Sequence, residues 1–480
     1  MNWERLLSAK RLGETDYQKT QDRSPYLIDV DRLIYSTHFR KLQDKTQVHP
    51  LSKSDYVRTR LTHSLEVSSI SRSLGYAVGR YIIDKYNLQN ISEHDFGYIV
   101  QAAALAHDIG NPPFGHLGED AISAFFQSNK EILKKYNLSQ EEYDNLTCFD
   151  GNSQGFRIIT NLAGWKNDGG LKLTYATLGT FLKYPCGFAS KETLTKLYST
   201  HKNNFVIDKY TENFDYKYII GTKKTGIMKN ELTNFLAITK DLGLLQLHKK
   251  LPIFYRHPLA FLTESADDIG YCIADIEDAF FVGLLSLAEV ELALAPIARH
   301  PKKYTGDAKE RTKNLRLADF YKKMDNRKKV EWLRGKAISN LIAEVSQAFI
   351  ANEEMILKGA FNCELIGMTP FVDNIKDCKL IAREKIFHSH DKITAEIKGI
   401  EAIDGTLEEL FKMIINPTHP KSKRILNLLE KKMIIDTEHL ITNSATSFYQ
   451  KLCLIIDILS DFTDRNLLEF YAILKGNTPN

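Results

Sequence analysis

The sequence lacks most of the features that assign a protein quickly. It contains no GxxxxGKS/T loop, which argues against a P-loop mechanism with release of a γ-phosphate. Its six cysteines, at positions 148, 186, 272, 363, 378 and 453, form no CxxC or zinc-ribbon pair. Reduced thiols in a cytosolic protein are therefore expected, and not a disulfide framework or a structural zinc site. Long apolar runs are missing too. The most apolar stretch, Ala279 to Ala295, is interrupted by Glu289 and Glu291, too short and too charged for a bilayer span. The opening residues MNWERLLSAKRLGE carry no apolar h-region, so no signal peptide is expected there and the expected compartment is the cytoplasm. Neither sign of charge dominates: 64 Lys plus Arg face 60 Asp plus Glu. A net +4 over 480 residues is not the signature of a dedicated nucleic-acid binder.

What is present is apolar and helical. Hydrophobic residues make up 43% and aromatics 10%, enough to bury a substantial core. After His63, apolar side chains recur at Val67, Ile70, Leu74, Ala77, Val78, Tyr81 and Ile82, steps of three and four that define one helix face. YIVQAAALA (98–106) reads as a helix buried on most sides, stopped by Gly110, Pro112 and Pro113. Residues 258–295 read as one long helix ended before Pro296. Strand-like alternation is confined to YKYIIGT (216–222). The chain is expected to be mostly α and a single unit over 1–480. Its core would lie in 26–300, with a helical C-terminal part over 301–480 and at most a small β element. Residues 187–215 and 302–336 look peripheral. The second holds thirteen Lys plus Arg against five acidic residues; it could bind single-stranded DNA or an effector nucleotide, or form a solvated helical face.

The chemistry concentrates in AHDIGNPPFGHLGED (106–120). His107 and Asp108 are adjacent at the end of an apolar helix, where a charged carboxylate beside an imidazole is costly to bury unless something binds it. An His-Asp dipeptide alone is a weak signal, but His63 lies in RLTHSLEV (60–67) and Asp267 in TESADDIGYCIAD (263–275). Three helices can thus bring two imidazoles and two carboxylates to one point. Such a thiolate-free set favours Mg, Mn, Fe or Co with open positions for water and substrate oxygen. His116 and Glu119 are spaced i, i+3 and can meet as a proton-transfer pair or as a plain surface pair. Arg60 projects from the same helical side as His63 and could hold a phosphate, or could be an ordinary surface arginine. Asp267, Tyr271 and Asp275 are spaced i, i+4, i+8 and share a helix face, whereas Asp268 points about 100° away, suited to capping or pairing with a base. Asn111 and Asn152 are candidate polar groups of a pocket, although turn geometry explains Asn111 equally well. His388 and His390 (HSH) suggest a second metal site, or chance surface exposure.

Several segments together resemble the bacterial dGTP triphosphohydrolases of the HD superfamily. They are RSPYLIDVDRLIYSTHFRKLQDKTQVHPLSKSDYVRTRLTHSLEV (23–67), HDIGNPPFGHLGEDAI (107–122), GNSQGFRIITNL (151–162), LGTFLKYP (178–185), ADDIGY (266–271) and the closing FTDRNLLEFY (462–471). They run in order along essentially the whole chain; residues 187–215 alone match nothing in that family. The resemblance implies an HD-domain helical core with metal ligands His63, His107, Asp108 and Asp267, holding Mg²⁺ or Mn²⁺ (Fe²⁺ or Co²⁺ also fit). It implies a catalytic dyad of His116 and Glu119, phosphate contacts from Arg60, Lys183 and Tyr184, and a sugar site from Gln47, Val48, Tyr271 and Asp275. In that site Gln47 and Asp275 would bond the 3′-hydroxyl while Val48 and Tyr271 leave no room for a 2′-hydroxyl. The implied reaction is water attack at the α-phosphorus of a dNTP, dGTP preferred, giving a deoxynucleoside and tripolyphosphate. Whether His116 activates water or protonates the leaving 5′-oxygen stays open, as do the residues that read the base. A homohexamer or homotetramer is implied as well. Two rival readings remain: another HD-type nucleotide phosphohydrolase or phosphodiesterase, and a nucleotide- or single-stranded-DNA-binding regulator with a vestigial site.

Overall fold

Local capping signals decide where the site-bearing helices begin. The computed structural model describes residues 1–14, 23–48, 56–164, 169–187, 219–299, 320–386, 390–430 and 441–477. Helix α1 (Pro25–Ile34) starts with proline in its first turn, where the missing N–H is no loss. Helix α2 (Arg60–Tyr86) opens on a reciprocal capping box between Thr59 and Thr62. Helix α3 (Glu93–Ala106) opens on another between Ser92 and Asp95. Such caps contribute about 1 kcal/mol each, enough to fix the register in which Arg60 and His63 leave the first turns of α2. Helices α2 and α3 pack along each other, α1 lies on α3, and Ala102 to Ala106 are fully or almost fully buried. Its last turn buried, α3 delivers His107 to its C-terminal end.

Helix α4 (His116–Ser128) follows the turn after α3, and the short helices α5 (Gly151–Arg157) and α6 (Tyr175–Phe181) lie further along the chain. Helix α7 (Ala260–Phe281) crosses α2 and carries Asp267 and Tyr271. The expected single helix over 258–295 is two: α7 and α8 (Leu287–Ala298). Gly283 adopts φ +80° between them, a left-handed conformation that closes a helix, and Ser286 with Glu289 caps the next one. Pro296 does not end that helix but lies within its last turn; so near the terminus it costs at most one backbone hydrogen bond.

In the C-terminal part, α9 (Asn326–Leu357) packs on α7 and α8, and α10 (Val372–Ile381) on the same pair. Helix α11 (His390–Ile415) lies against α4, and α12 (Phe448–Asp461) and α13 (Asp464–Leu474) pack on α11. Two apolar cores result. One runs from Trp3 to Ile386; the other joins Phe114–Phe149 and Met228 to Ala402–Phe470. The second core brings α11 over the start of α4.

The fold is mostly α, as the sequence predicts. The strand candidate is not a strand: residues 216–218 lie outside the described residues, and Ile220–Thr222 form one 3-10 turn closed by the Thr222 N–H on the Ile219 carbonyl at 2.9 Å. Among the described residues, β pairing is limited to isolated bridges such as Cys186 with Ile253. Residues 188–215, 302–319 and His388 also lie outside the described residues. No described helix is long and apolar enough to cross a membrane.

Candidate active site

Four of the polar residues picked out by spacing converge where α2, α3 and α7 meet. His63 Nε2 lies 3.2 Å from Asp267 Oδ1, and His107 Nε2 lies 3.5 Å from both Asp267 Oδ1 and Asp108 Oδ2. Ligand atoms of His63, His107 and Asp108 fall within 4.8 Å of one another. His107 Nδ1 donates to the Ala104 carbonyl at 2.6 Å, so Nε2 is the nitrogen turned to the cluster. Asn111 donates to Asp108 Oδ1 at 2.5 Å, while Asp108 Oδ2 is buried without a hydrogen bond. The guanidinium of Arg60 stands 2.9 Å from that oxygen as an ion pair.

These groups fit a divalent cation. Two imidazoles and two carboxylates without thiolate form a borderline-hard donor set, and Asp108 Oδ2, held only by its ion pair with Arg60, stands 3.5 Å from His107 Nε2 in the cluster. The electrostatics agree. Burial pulls His107 down, but the Asp108 and Asp267 carboxylates outweigh it and push His107 up to about 9. Burial also works against the Asp267 anion, yet His107 and His63 hold its carboxyl well below the ordinary range. The two carboxylates thus stay ionised in apolar surroundings because positive groups face them, Arg60 at Asp108 and the imidazoles at Asp267, and a bound cation would take the place of the imidazole protons.

The cluster opens into a cavity of about 610 Å³. His116 and Glu119 line it from the first turn of α4, with His116 Nδ1 2.7 Å from Glu119 Oε2. Glu119 is buried and its other oxygen accepts the Gly151 N–H at 2.6 Å, whereas the His116 side chain is 75% exposed and so can reach a ligand. The Glu119 bond raises His116 above its ordinary value, against a smaller opposing effect of burial. The ring is presented by a left-handed corner, Phe114 at φ +62° and Gly115 at φ +60°. Gly115 suits this corner because φ +60° strains any other side chain, and a Cβ there would also lie 2.3 Å from Arg60 Nη2 and push the guanidinium aside.

The cavity wall also includes Gln47, Val48, Arg60, Asn111, Asn152, Lys183, Tyr184 and Tyr271. Gln47 Oε1 is buried with no hydrogen-bond partner among the described residues, an acceptor left for a ligand. Arg60 is ion-paired with Asp108, not a loose surface arginine. Lys183 Nζ is 3.6 Å from Glu264, and Arg256 clamps that stretch by donating to the Lys183 carbonyl at 2.6 Å while pairing with Glu264. Asp275 is buried two turns beyond Asp267 on α7 and is not among the wall residues; burial, with Asp278, pushes it up to about 8. Asp268 turns away and pairs with Lys379 at 3.1 Å. His390 opens α11.

Four charged wall residues escaped the sequence reading: Lys224, Glu264, Lys392 and Glu396. Lys224 pairs with Asp150 and approaches Glu119 Oε2 to 3.8 Å. Glu264 stood in plain view three residues before Asp267. Lys392 and Glu396 come from α11, and nothing local in the sequence ties that helix to the site.

Residues 60–164 match the HD domain family, and with the helical fold this defines an HD-domain protein. The chain is 37% identical over 484 residues to the deoxyguanosinetriphosphate triphosphohydrolase-like protein of Synechocystis sp., covering 99% of each. It is 35% identical to the protein of that name from Pseudomonas aeruginosa, over 100% of this chain and 99% of that one. It is 27% identical to the deoxyguanosinetriphosphate triphosphohydrolase of Yersinia pseudotuberculosis, over 91% and 86% respectively. The chain belongs to the deoxyguanosinetriphosphate triphosphohydrolase family of the HD superfamily.

Proposed function

We propose that this chain hydrolyses deoxynucleoside triphosphates, dGTP foremost, to the deoxynucleoside and tripolyphosphate by water attack at the α-phosphorus. One observation carries the reading: the cluster, through His107, Asp108 and Asp267, and the His116–Glu119 dyad line the same cavity, with His63 buried behind Asp267. Mg²⁺ or Mn²⁺ held by the four cluster residues would supply Lewis acidity toward a phosphoryl oxygen and a lowered pKa for water.

The rest falls to the protein's own side chains. His116, oriented through Nδ1 by Glu119, is left with Nε2 to move a proton at the α-phosphate. Lys183 and Lys224 supply positive charge for the remaining phosphates, and Arg60 balances Asp108 while reaching the same wall. The unpartnered Gln47 Oε1 suits the 3′-hydroxyl, and Val48 and Tyr271 suit a sugar face without a 2′-hydroxyl. Glu396, a wall residue that pairs with Lys392 at 3.7 Å, is an acceptor of the kind that the N1–H and 2-amino donors of guanine require.

The test is incubation of metal-free protein with Mg²⁺ or Mn²⁺ and each of the four dNTPs plus GTP, products resolved by anion exchange. Tripolyphosphate from dGTP, and none from GTP, is expected. Pyrophosphate, monophosphate or no turnover would move the assignment to another HD chemistry or to a regulator.

A further inference from the structure

Two loops contribute to the cavity wall, and one buried carboxylate far along the chain holds both. The first carries Thr46, Gln47 and Val48. The second is the corner at Phe114 and Gly115 that presents His116. Asp464 sits in the first turn of α13, 2% exposed. Its Oδ2 accepts from the Thr46 N–H at 3.0 Å and from the Thr46 hydroxyl. Its Oδ1 accepts from the Phe114 N–H at 2.9 Å. Asp464 does not line the cavity, whereas Thr46 and Phe114 do.

The left-handed Phe114 is the second observation. A bulky residue at φ +62° is strained and persists only when its surroundings over-determine it. Asp464 supplies one such restraint through the backbone. The Phe114 ring against Gly399 of α11 supplies another, since a Cβ there would lie 2.8 Å from that ring. Next to Asp464, Lys45 donates to the carbonyls of Asn111 and Ser460, each at 2.7 Å. The junction of α12 and α13 is therefore bonded to both loops at once.

We propose that Asp464 is a positioning residue that locks the sugar-side loop at Gln47 to the corner that aims His116, so that the two parts of the site hold one fixed geometry. The roles of Gln47 and His116 in this statement rest on the proposed function; the coupling itself rests on the hydrogen bonds. A carboxylate can accept from both loops with separate oxygens. An amide has one acceptor oxygen and cannot accept from both loops, so the tie between them is lost, and because each loop is held against the other through this one side chain, its loss frees both.

The experiment compares wild type, Asp464→Asn and the milder Thr46→Val, which removes only the hydroxyl donor. Hydrogen–deuterium exchange is followed by mass spectrometry alongside kcat and KM for dGTP. In Asp464→Asn, peptides covering 44–48 and 112–119 should both exchange faster while the middle of α2 stays unchanged. kcat should fall and KM rise together, with kcat/KM lower by on the order of ten- to a hundredfold, the scale of roughly ångström misplacement in an active site. Thr46→Val should give the same changes at smaller amplitude. Loosening of only one loop, or none, would overturn the proposal. So would a fall in kcat that tracks lost folded protein with KM unmoved, the result of a merely structural role. The exchange arm reads the coupling whether or not dGTP is turned over, so its failure and a failure of the functional reading are separable.

Discussion

His116 Nδ1 lies 2.7 Å from Glu119 Oε2, and the same carboxylate is pinned from its other side by the Gly151 N–H. The imidazole is thus oriented by an anion that cannot swing away, and its protonated form is favoured. Replacing Glu119 with Gln keeps an acceptor for Gly151 but removes the charge that raises His116. The sign follows: His116 loses its proton at lower pH, so the kinetic limb that reports it moves to lower pH. This direction holds whether His116 serves as acid or base, because either role follows the same ionisation. The pH profile of kcat/KM in Glu119→Gln checks it, and an unmoved limb counts against the dyad. His116→Ala itself should cost on the order of 10²–10⁴ in kcat.

Lys224 provides the opposite sign. Its ammonium lies 3.8 Å from Glu119 Oε2 and lowers His116. Lys224→Met should move the same limb to higher pH, while KM rises through loss of a phosphate contact. Shifts of Glu119→Gln and Lys224→Met in the same direction would contradict the electrostatic picture.

Loss of one cluster ligand should separate metal binding from folding. His107→Ala is expected to abolish Mn²⁺ binding in calorimetry and turnover with it, while far-ultraviolet circular dichroism keeps its helical signal. A chelator should likewise stop turnover reversibly. Retained turnover in the variant would remove the cluster from the mechanism.

Much of this was legible in the sequence, and the reasons are physical. The mostly α class follows from helical periodicity, where local chemistry dictates structure, and the family from the resemblance that short motifs such as HDIGNPPFGHLGEDAI carry. The break at Gly283 was hidden because apolar residues continue across it and one left-handed glycine leaves no periodic trace. YKYIIGT alternates like a strand, yet no partner strand among the described residues gives Ile220 a ladder to join. Lys392 and Glu396 reach the cavity only because the second core folds α11 back over α4, a contact across more than 250 residues of chain. Asp464 was visible as part of a closing motif, but its bonds to Thr46 and Phe114 are tertiary.

The sugar site yields a further prediction. If the buried Gln47 Oε1 accepts the 3′-hydroxyl, Gln47→Ala should lower kcat/KM for dGTP by about 10- to 100-fold. The same substitution should change the rate on 2′,3′-dideoxy-GTP far less, because that substrate has no such hydroxyl. Steady-state assays on the two nucleotides decide it; equal losses on both would place the 3′-hydroxyl elsewhere.

The most direct test of the central claim is hydrolysis of dGTP in ¹⁸O-labelled water with Mn²⁺, with mass analysis of every product. Attack at the α-phosphorus breaks the bond between that phosphorus and the 5′-oxygen. One ¹⁸O should therefore appear in tripolyphosphate and none in deoxyguanosine. Label in deoxyguanosine, or release of labelled phosphate or pyrophosphate, would contradict it.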